Sequence, residues 1–220
     1  MIKLVNISKI FTSGKSKVEA LKNISLEIKE GEFVAIVGPS GSGKSTLLYL
    51  LGGLDSPTGG EIIVNNKNID LFSDKDLSKY RNKEIGFIFQ EFHVEPFLSV
   101  KENVLLPTYF NQKSQEDKIY AEKLIKEVEL SSKINSDINT LSGGQKQRTA
   151  IARALINKPN IILADEPTGN LDIKTGEKII SLLKNSHKKH GVTMIIATHD
   201  EKIAEAAERI IKIEDGKLCS

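Results

Sequence analysis

The chain has a single cysteine, Cys219, next to the end of its 220 residues. It can form no internal disulfide, and a reducing compartment is the expectation. No stretch approaches the ~20 apolar residues that a bilayer-spanning helix needs. The opening "MIKLVNISKIF" has no long apolar run, so no signal peptide is expected there. Any membrane role is expected to come through a partner. Charge of one sign is not in excess: 31 Lys and Arg face 29 Asp and Glu, a formal net charge of +2. That balance gives no electrostatic case for nucleic acid as a partner. Low-complexity tracts and internal repeats are absent. What is present, 39% hydrophobic and 27% charged residues, suits one large domain or a domain with a modest subdomain.

Apolar and polar residues alternate in "IKLVNISKIF" and "LKNISLEI", which flank the turn-rich "TSGKSK" and read as strands. The continuous apolar run "FVAIVG" (33–38) fits a strand buried on both faces. Further strands are "EIIV", "IGFIFQ", "IILAD", "TMIIAT" and "RIIKIEDGKL", the last with a turn at Asp215-Gly216. Helical spacing marks "STLLYLLGGL", ending at Gly52 and Gly53, then "SQEDKIYAEKLIKEVEL", "SGGQKQRTAIARALI", a helix from near Asp172, and "DEKIAEAAE". Between Ser99 and Lys158 strand signals fade. These alternations predict an α/β fold with a parallel sheet covered on both sides, an antiparallel N-terminal sheet on one flank and an inserted helical subdomain. The expected division is one domain, 1–220, with core and β subdomain over about 1–90 and 159–220 and helices over about 91–158.

"GPSGSGKS" (38–45) matches G-x-x-x-x-G-K-[ST] between a buried strand and a helix. Glycines at 38, 41 and 43 let backbone N–H groups wrap a β-phosphate, and the helix directs its positive end at the same place. Lys44 is placed to reach the β- and γ-phosphates and Ser45 to ligate Mg²⁺. The strand "IILAD" ends in Asp165, a carboxylate for Mg²⁺ directly or through water. Glu166 follows; a turn at the strand end would aim it at the γ-phosphate, as a general base for attacking water. Gln90 in "GFIFQ" and His199 in "MIIATHD" also end strands, where ligands of open parallel sheets bind. Asp200 is the expected cap of the next helix. The remaining histidines lack such placement, and "KNSHKKH" reads as a solvated helix end.

A second anion site is written in "LSGGQKQR" (141–148). Ser142 is typed as the N-cap of the following helix, and Gly143 and Gly144 are read as exposing its first N–H groups. Without a lysine it cannot hold a whole nucleotide, so it is expected to complete a site whose other half lies elsewhere.

Together these motifs resemble the nucleotide-binding subunit of ATP-binding cassette (ABC) transporters nearly end to end. "GPSGSGKST" is similar to the Walker A loop, "ILADE" to Walker B, "LSGGQ" to the signature, Gln90 to the Q-loop glutamine, "GNLD" to the D-loop and His199 to the H-loop switch. "FSDKDLSKYRNKEIGFIFQ" and "ADEPTGNLD" resemble the branch of lipoprotein-release and macrolide or peptide exporters, the LolD/MacB type. The resemblance implies a P-loop NTPase (RecA-like) core and an ATPase using ATP and Mg²⁺. It implies a nucleotide site formed by Gly38, Pro39, Ser40, Gly41, Ser42, Gly43, Lys44, Ser45 and Thr46, with Gln90, and by Ser142, Gly143, Gly144 and Gln145 of a second copy. Lys44, Gln90, Glu166 and His199 are the implied catalytic residues, and Ser45, Gln90 and Asp165 the implied metal ligands. Phe11 sits where such proteins stack an aromatic on adenine, with Val18 lining the base; the alternative for Phe11 is a strand aromatic packed in the core. Asp172 is expected at the dimer seam and as a helix cap. "EFHVEPFLSVKENV" departs from the family's more apolar pattern, placing His93 and Glu95 beside the Q-loop where relatives meet the membrane subunit.

The resulting expectation is an ATPase that dimerises around two ATP molecules and drives a separate membrane permease from the cytoplasmic face, in an exporter or extrusion system. A mechanical-signalling ATPase that controls cell-wall hydrolases without transport is the second class. Soluble ribosome-acting or DNA-repair cassettes are disfavoured, since neither a second cassette nor a long coiled-coil insertion is seen. Simple P-loop kinases and GTPases would leave "LSGGQ" unexplained.

Overall fold

The computed structural model describes residues 1–14, 16–111 and 114–219. The N-terminal strands β1 (Ile2–Ser13) and β2 (Ser16–Ile28) run further than the alternation predicts, nearly through "TSGKSK". Ile2 and Leu4 are buried, and then Ile7 is, an odd step that strict alternation forbids. Asn6 resolves it: its φ of 52° and a register break between Leu4 and Ile7 form a bulge. On β2, Asn23 (φ 52°) does the same between the buried Leu21 and Ile24. With β4 (Gly59–Val64) and β5 (Lys67–Asn68) these strands make an antiparallel sheet of order β2-β1-β4-β5.

The larger sheet is built from β3 (Phe33–Val37), β6 (Ile85–Ile88), β7 (Ile161–Asp165), β8 (Thr193–Thr198), β9 (Arg209–Glu214) and β10 (Lys217–Cys219). Its order is β10-β9-β3-β8-β7-β6; every pairing is parallel except the β9–β10 hairpin at Asp215-Gly216. Both faces are covered. Ile195 and Ala197 of β8 pack with Leu47, Leu48 and Leu51 of α1 (Lys44–Leu51) and with the antiparallel sheet. Met194 and Ile196 pack on the opposite side, with α5 (Gly143–Leu155) and α6 (Ile173–His190). The continuous apolar strands follow from this sandwich.

Between β6 and β7 the chain is helical: α3 (Val100–Leu105), α4 (Gln115–Glu127) and α5. Two further helices are α2 (Asp74–Lys83) and α7 (Glu201–Ala206). The sequence reading passed over α2, although "SDKD" signals it: Ser73 caps the helix by accepting from the Asp76 N–H. Tyr80 then anchors α2 by donating to the Leu51 carbonyl at 2.8 Å. No helix among the described residues is long and apolar enough to cross a membrane.

"KNSHKKH" ends α6 and is solvated on one side only, where Lys184, Asn185, Lys188 and Lys189 are exposed. His187 is buried, its Nε2 lies 2.9 Å from the Gly31 carbonyl and its ring sits 5.4 Å from that of Phe33. His190 lies 3.1 Å from Glu127 of α4. The charge run hid a helical periodicity in which 183, 187 and 190 share the inner face.

Gly86 lets β6 approach α5 closely, for a Cβ there would lie 2.4 Å from the Ala154 carbonyl oxygen. Gly86→Ala is therefore expected to destabilise the protein by about 1–3 kcal/mol through overpacking. Scanning calorimetry should record a thermal midpoint several degrees lower; an unchanged midpoint would contradict this packing.

Candidate active site

β3 delivers the chain to Gly38, and α1 restarts it with Gly43 as N-cap. Gly43 has φ 104° and no side chain caps the helix. Only glycine adopts that φ without strain, and a Cβ would meet the Ala20 carbonyl at 2.5 Å, so the loop is wedged against β2. The first N–H groups of α1 thus lack a side-chain acceptor, the chemistry of an anion site. Lys44, buried, donates to the carbonyls of Gly38 (2.8 Å) and Pro39 (2.9 Å). One of its three ammonium donors remains. The buried Ser42 Oγ has no hydrogen-bond partner among the described residues. A spare buried donor, an orphan hydroxyl and an uncapped helix start fit a phosphate group. Pro39, Ser40 and Gly41 lie exposed on the rim, and Thr46 is half-buried in the first turn.

Asp165 ends β7 with 7% of its surface exposed. Its Oδ1 accepts from Ser45 Oγ at 2.8 Å and its Oδ2 from the Tyr49 hydroxyl at 3.2 Å. Burial pushes the Asp165 carboxyl above its ordinary value, and the charge of Glu166 adds to this; the two hydroxyls and Lys44 oppose it. Burial, followed by the Asp165 charge and hydrogen bond and then the charge of Glu91, likewise raises the Tyr49 phenol. Tyr49 is the residue that motif reasoning missed; its only signal is that it stands four residues after Ser45. Among the described residues no three His, Cys, Asp or Glu side chains cluster as a metal cage. A hydroxyl–carboxylate pair of hard oxygens beside a phosphate loop suits Mg²⁺, which keeps waters and shares phosphate oxygens rather than using such a cage.

Glu166 does turn at the strand end: its φ is 43°, left-handed, with its N–H bonded to the Ala197 carbonyl at 2.9 Å. Its carboxylate is held by the end of β8, with Oε1 2.9 Å from His199 Nδ1 and Oε2 accepting from Thr198 Oγ (3.3 Å) and the His199 N–H (3.4 Å). A carboxylate can only accept, so His199 carries its proton on Nδ1 in this pair. The imidazole is otherwise open to solvent. Asp200 caps α7, as expected.

Gln90 lies in a turn two residues past β6 rather than at its end. Its Nε2 donates to Asn170 Oδ1 at 3.3 Å, and Asn170 Nδ2 donates to the Gln90 carbonyl at 3.0 Å. The "GNLD" segment therefore touches the Q-loop, and Asp172 caps α6 by accepting from the Thr175 N–H. Hydrogen bonds from Thr175 hold the Asp172 carboxyl below the usual range.

Ser142 is the N-cap of α5 in a reciprocal box with Gln145: each accepts from the other's backbone N–H, at 3.3 and 2.9 Å. Gly144 is buried, not exposed; a Cβ there would meet Thr175 Cγ2 at 2.3 Å, so this glycine serves helix packing. Gln147, also missed, is fully buried and donates to the Pro167 carbonyl at 2.7 Å, tying α5 to the segment after Glu166. No hydrogen bond among the described residues joins Ser142–Gln145 to the phosphate loop. The α5 start packs by Leu171 and Phe92 while the phosphate loop packs by Ile213 and Ala20, so within one chain the two anion sites have separate surroundings.

Phe11 is not a core aromatic. It is 45% exposed, pairs across the hairpin with the exposed Val18, and has the Lys9 ammonium 5.0 Å from its ring centre. His93 and Glu95 line a groove of about 760 Å³ with Phe87, Phe89, Phe110 and Arg81. Arg153 braces its wall through the carbonyls of Phe92 and His93, which both have positive φ.

Comparison with known proteins places the chain among relatives. The model of the ABC transporter family matches residues 21–169. The chain is 49% identical over 223 residues to a Methanocaldococcus jannaschii protein, the uncharacterized ABC transporter ATP-binding protein MJ0796, covering 99% of this chain and 95% of that one. The dimeric structure of that cassette, in a post-hydrolysis state bound to ADP and Pi, superposes with a TM-score of 0.92 at 48% identity, over 100% of this chain and 97% of the other. The lipoprotein-releasing system ATP-binding protein LolD of Acinetobacter baylyi is 45% identical, covering 96% of this chain and 93% of LolD. The macrolide export ATP-binding/permease protein MacB of Bdellovibrio bacteriovorus is 46% identical over 100% of this chain but 34% of its own length.

The raised Asp165 carboxyl has a stability consequence in the metal-free protein. A raised folded-state value favours the protonated form, so its contribution is full at acid pH and lost as pH rises through that value. At neutral pH the ionised Asp165 destabilises the fold. Asp165→Asn is expected to raise the metal-free thermal midpoint at pH 7 by roughly 2–4 °C, about 1 kcal/mol, with the gain shrinking as pH falls toward 4. A lower midpoint at pH 7 in calorimetry would contradict this reading.

Proposed function

This chain belongs to the ABC transporter family as an ATP-binding cassette, an ATPase, and we propose that two copies close head to tail around two ATP molecules to drive a separate membrane permease. The observation that carries the proposal is the separation of the two anion sites. The α1 site has lysine, orphan hydroxyl and paired hydroxyl–carboxylate, while the α5 site has a capped helix start and nothing to hold a nucleotide. A two-fold pair of chains would bring each α5 start to the other's phosphate loop, producing two identical composite sites. The dimeric ADP- and Pi-bound cassette at 48% identity supports the same arrangement.

In this reading Phe11 stacks on adenine with Val18 alongside, residues 38–46 hold the phosphates, and Ser142–Gln145 of the second copy close over the γ-phosphate. Ser45, Asp165 and Gln90 would hold Mg²⁺, which would supply positive charge against the nucleotide phosphates. Glu166 takes the proton of the attacking water as the water oxygen bonds the γ-phosphorus and the bond to the bridging oxygen of ADP breaks. His199 fixes the Glu166 carboxylate through Nδ1, and its exposed ring can turn toward the γ-phosphate. Release of the cleaved phosphate then removes the group that joins the two copies, converting hydrolysis into opening.

The groove of Phe87, Phe89 and Phe110, edged by Arg81, is the surface we assign to the permease. It includes Phe89, the residue before Gln90, so a permease seated there would reach the Q-loop through its neighbour. The identities with LolD and MacB support export or lipoprotein release as the process served, and the partner would hold the cassette at the cytoplasmic face of its membrane.

Glu166→Gln should slow hydrolysis roughly 10²–10⁴-fold and yield an ATP-dependent dimer on gel filtration. A variant that stays monomeric at saturating ATP and Mg²⁺ would defeat the proposal. Phe11→Ala should weaken ATP and GTP binding alike by roughly 3–10-fold, since stacking reads no base edge; equilibrium binding with both nucleotides unchanged would return Phe11 to a structural role.

A further inference from the structure

We propose that Tyr49 is a positioning residue for the metal-binding carboxylate: its hydroxyl grips Oδ2 of Asp165 while Ser45 grips Oδ1, so that two hydroxyls from one helix face set the carboxylate's orientation. The inference rests on the assignment of Asp165 and Ser45 to Mg²⁺ above. Ser45 and Tyr49 stand four residues apart on α1 and therefore share one face, the spacing at which helical side chains meet a common target. Their bonds to the two carboxylate oxygens measure 2.8 and 3.2 Å. Asp165 is otherwise buried at the end of β7, where rotation of its carboxylate has no other hydrogen-bonded restraint among the described residues.

The two hydroxyls differ in what they can do. Ser45 is short and starts the helix beside Lys44, so its oxygen can serve the metal and Asp165 together. Tyr49 lies one turn further from the loop. Its neutral hydroxyl donates to an ionised carboxylate, which leaves Asp165 its charge and spare acceptor sites for the metal or a metal-bound water. That is how outer partners orient a metal ligand, and removing one ordinarily lowers metal affinity 10–100-fold. The charge of Glu91, the residue after Gln90, also reaches the Tyr49 hydroxyl.

Tyr49→Phe removes the hydroxyl and keeps the ring. The test measures the Mg²⁺ concentration for half-maximal thermal stabilisation of ADP-loaded protein, the Mg²⁺ half-saturation of ATP hydrolysis, and ADP affinity in EDTA. We expect both Mg²⁺ midpoints to rise roughly 10-fold or more, with metal-free ADP affinity unchanged. Mg²⁺ midpoints equal to wild type overturn the inference. So does a loss of metal-free stability and ADP affinity that leaves the Mg²⁺ midpoints in place, because that is a packing role only. Asp165→Asn runs beside it: if that variant loses its Mg²⁺ dependence while Tyr49→Phe keeps it, Tyr49 falls and the metal site stands. If Asp165→Asn also keeps wild-type Mg²⁺ dependence, the metal assignment itself falls and takes the inference with it.

Discussion

Two helix N-termini, those of α1 and α5, each offer backbone N–H groups to an anion, and the fold seats them against different elements, α1 on β2 and β9 and α5 on α6. Everything functional here follows from that constraint. The α1 end is anchored between the two sheets by Gly38 and Gly43, whose absent Cβ atoms leave room for the Ile213 and Ala20 carbonyls. The α5 end rides on the helical insertion, fixed by the Ser142–Gln145 box and by Gly144 against α6.

Between these ends the parallel sheet gathers the polar residues at its C-terminal edge. Buried strands on both faces leave that edge as the place where side chains such as Asp165, Glu166 and His199 can act on a ligand. The electrostatics are uneven: two adjacent carboxylates sit near one buried ammonium, and Asp165 is held above its ordinary carboxyl range by burial. A bound Mg²⁺ would offset the carboxylate charge at Asp165. Stability is thereby set aside for chemistry, a recurrent feature of functional sites.

The β-core, the phosphate loop and the helix caps at Ser142, Asp172 and Asp200 were legible in the sequence because each is a local matter of periodicity or cap chemistry. Long-range packing was not. The inward side of "KNSHKKH" depends on Gly31 and Glu127, over sixty positions away for the nearer of them. Gly144 reads as an exposed phosphate glycine until Thr175 is set beside it. Tyr49 carries no motif, and only the meeting of α1 with β7 gives it a partner. The bulges at Asn6 and Asn23 could have been inferred from the parity breaks between Leu4 and Ile7 and between Leu21 and Ile24, since Asn is among the few residues that accept a left-handed φ.

The claim that the site is shared between chains can be measured by complementation. One copy carries Lys44→Ala, which spoils its phosphate loop; another carries Ser142→Arg, which blocks its α5 site. Each alone should be inactive. In an equimolar mixture half of the dimers pair unlike copies, and each such pair has one site built from an intact loop and an intact α5 start. ATP hydrolysis should return to about a quarter of the wild-type rate. A mixture as inactive as its two components would contradict the account.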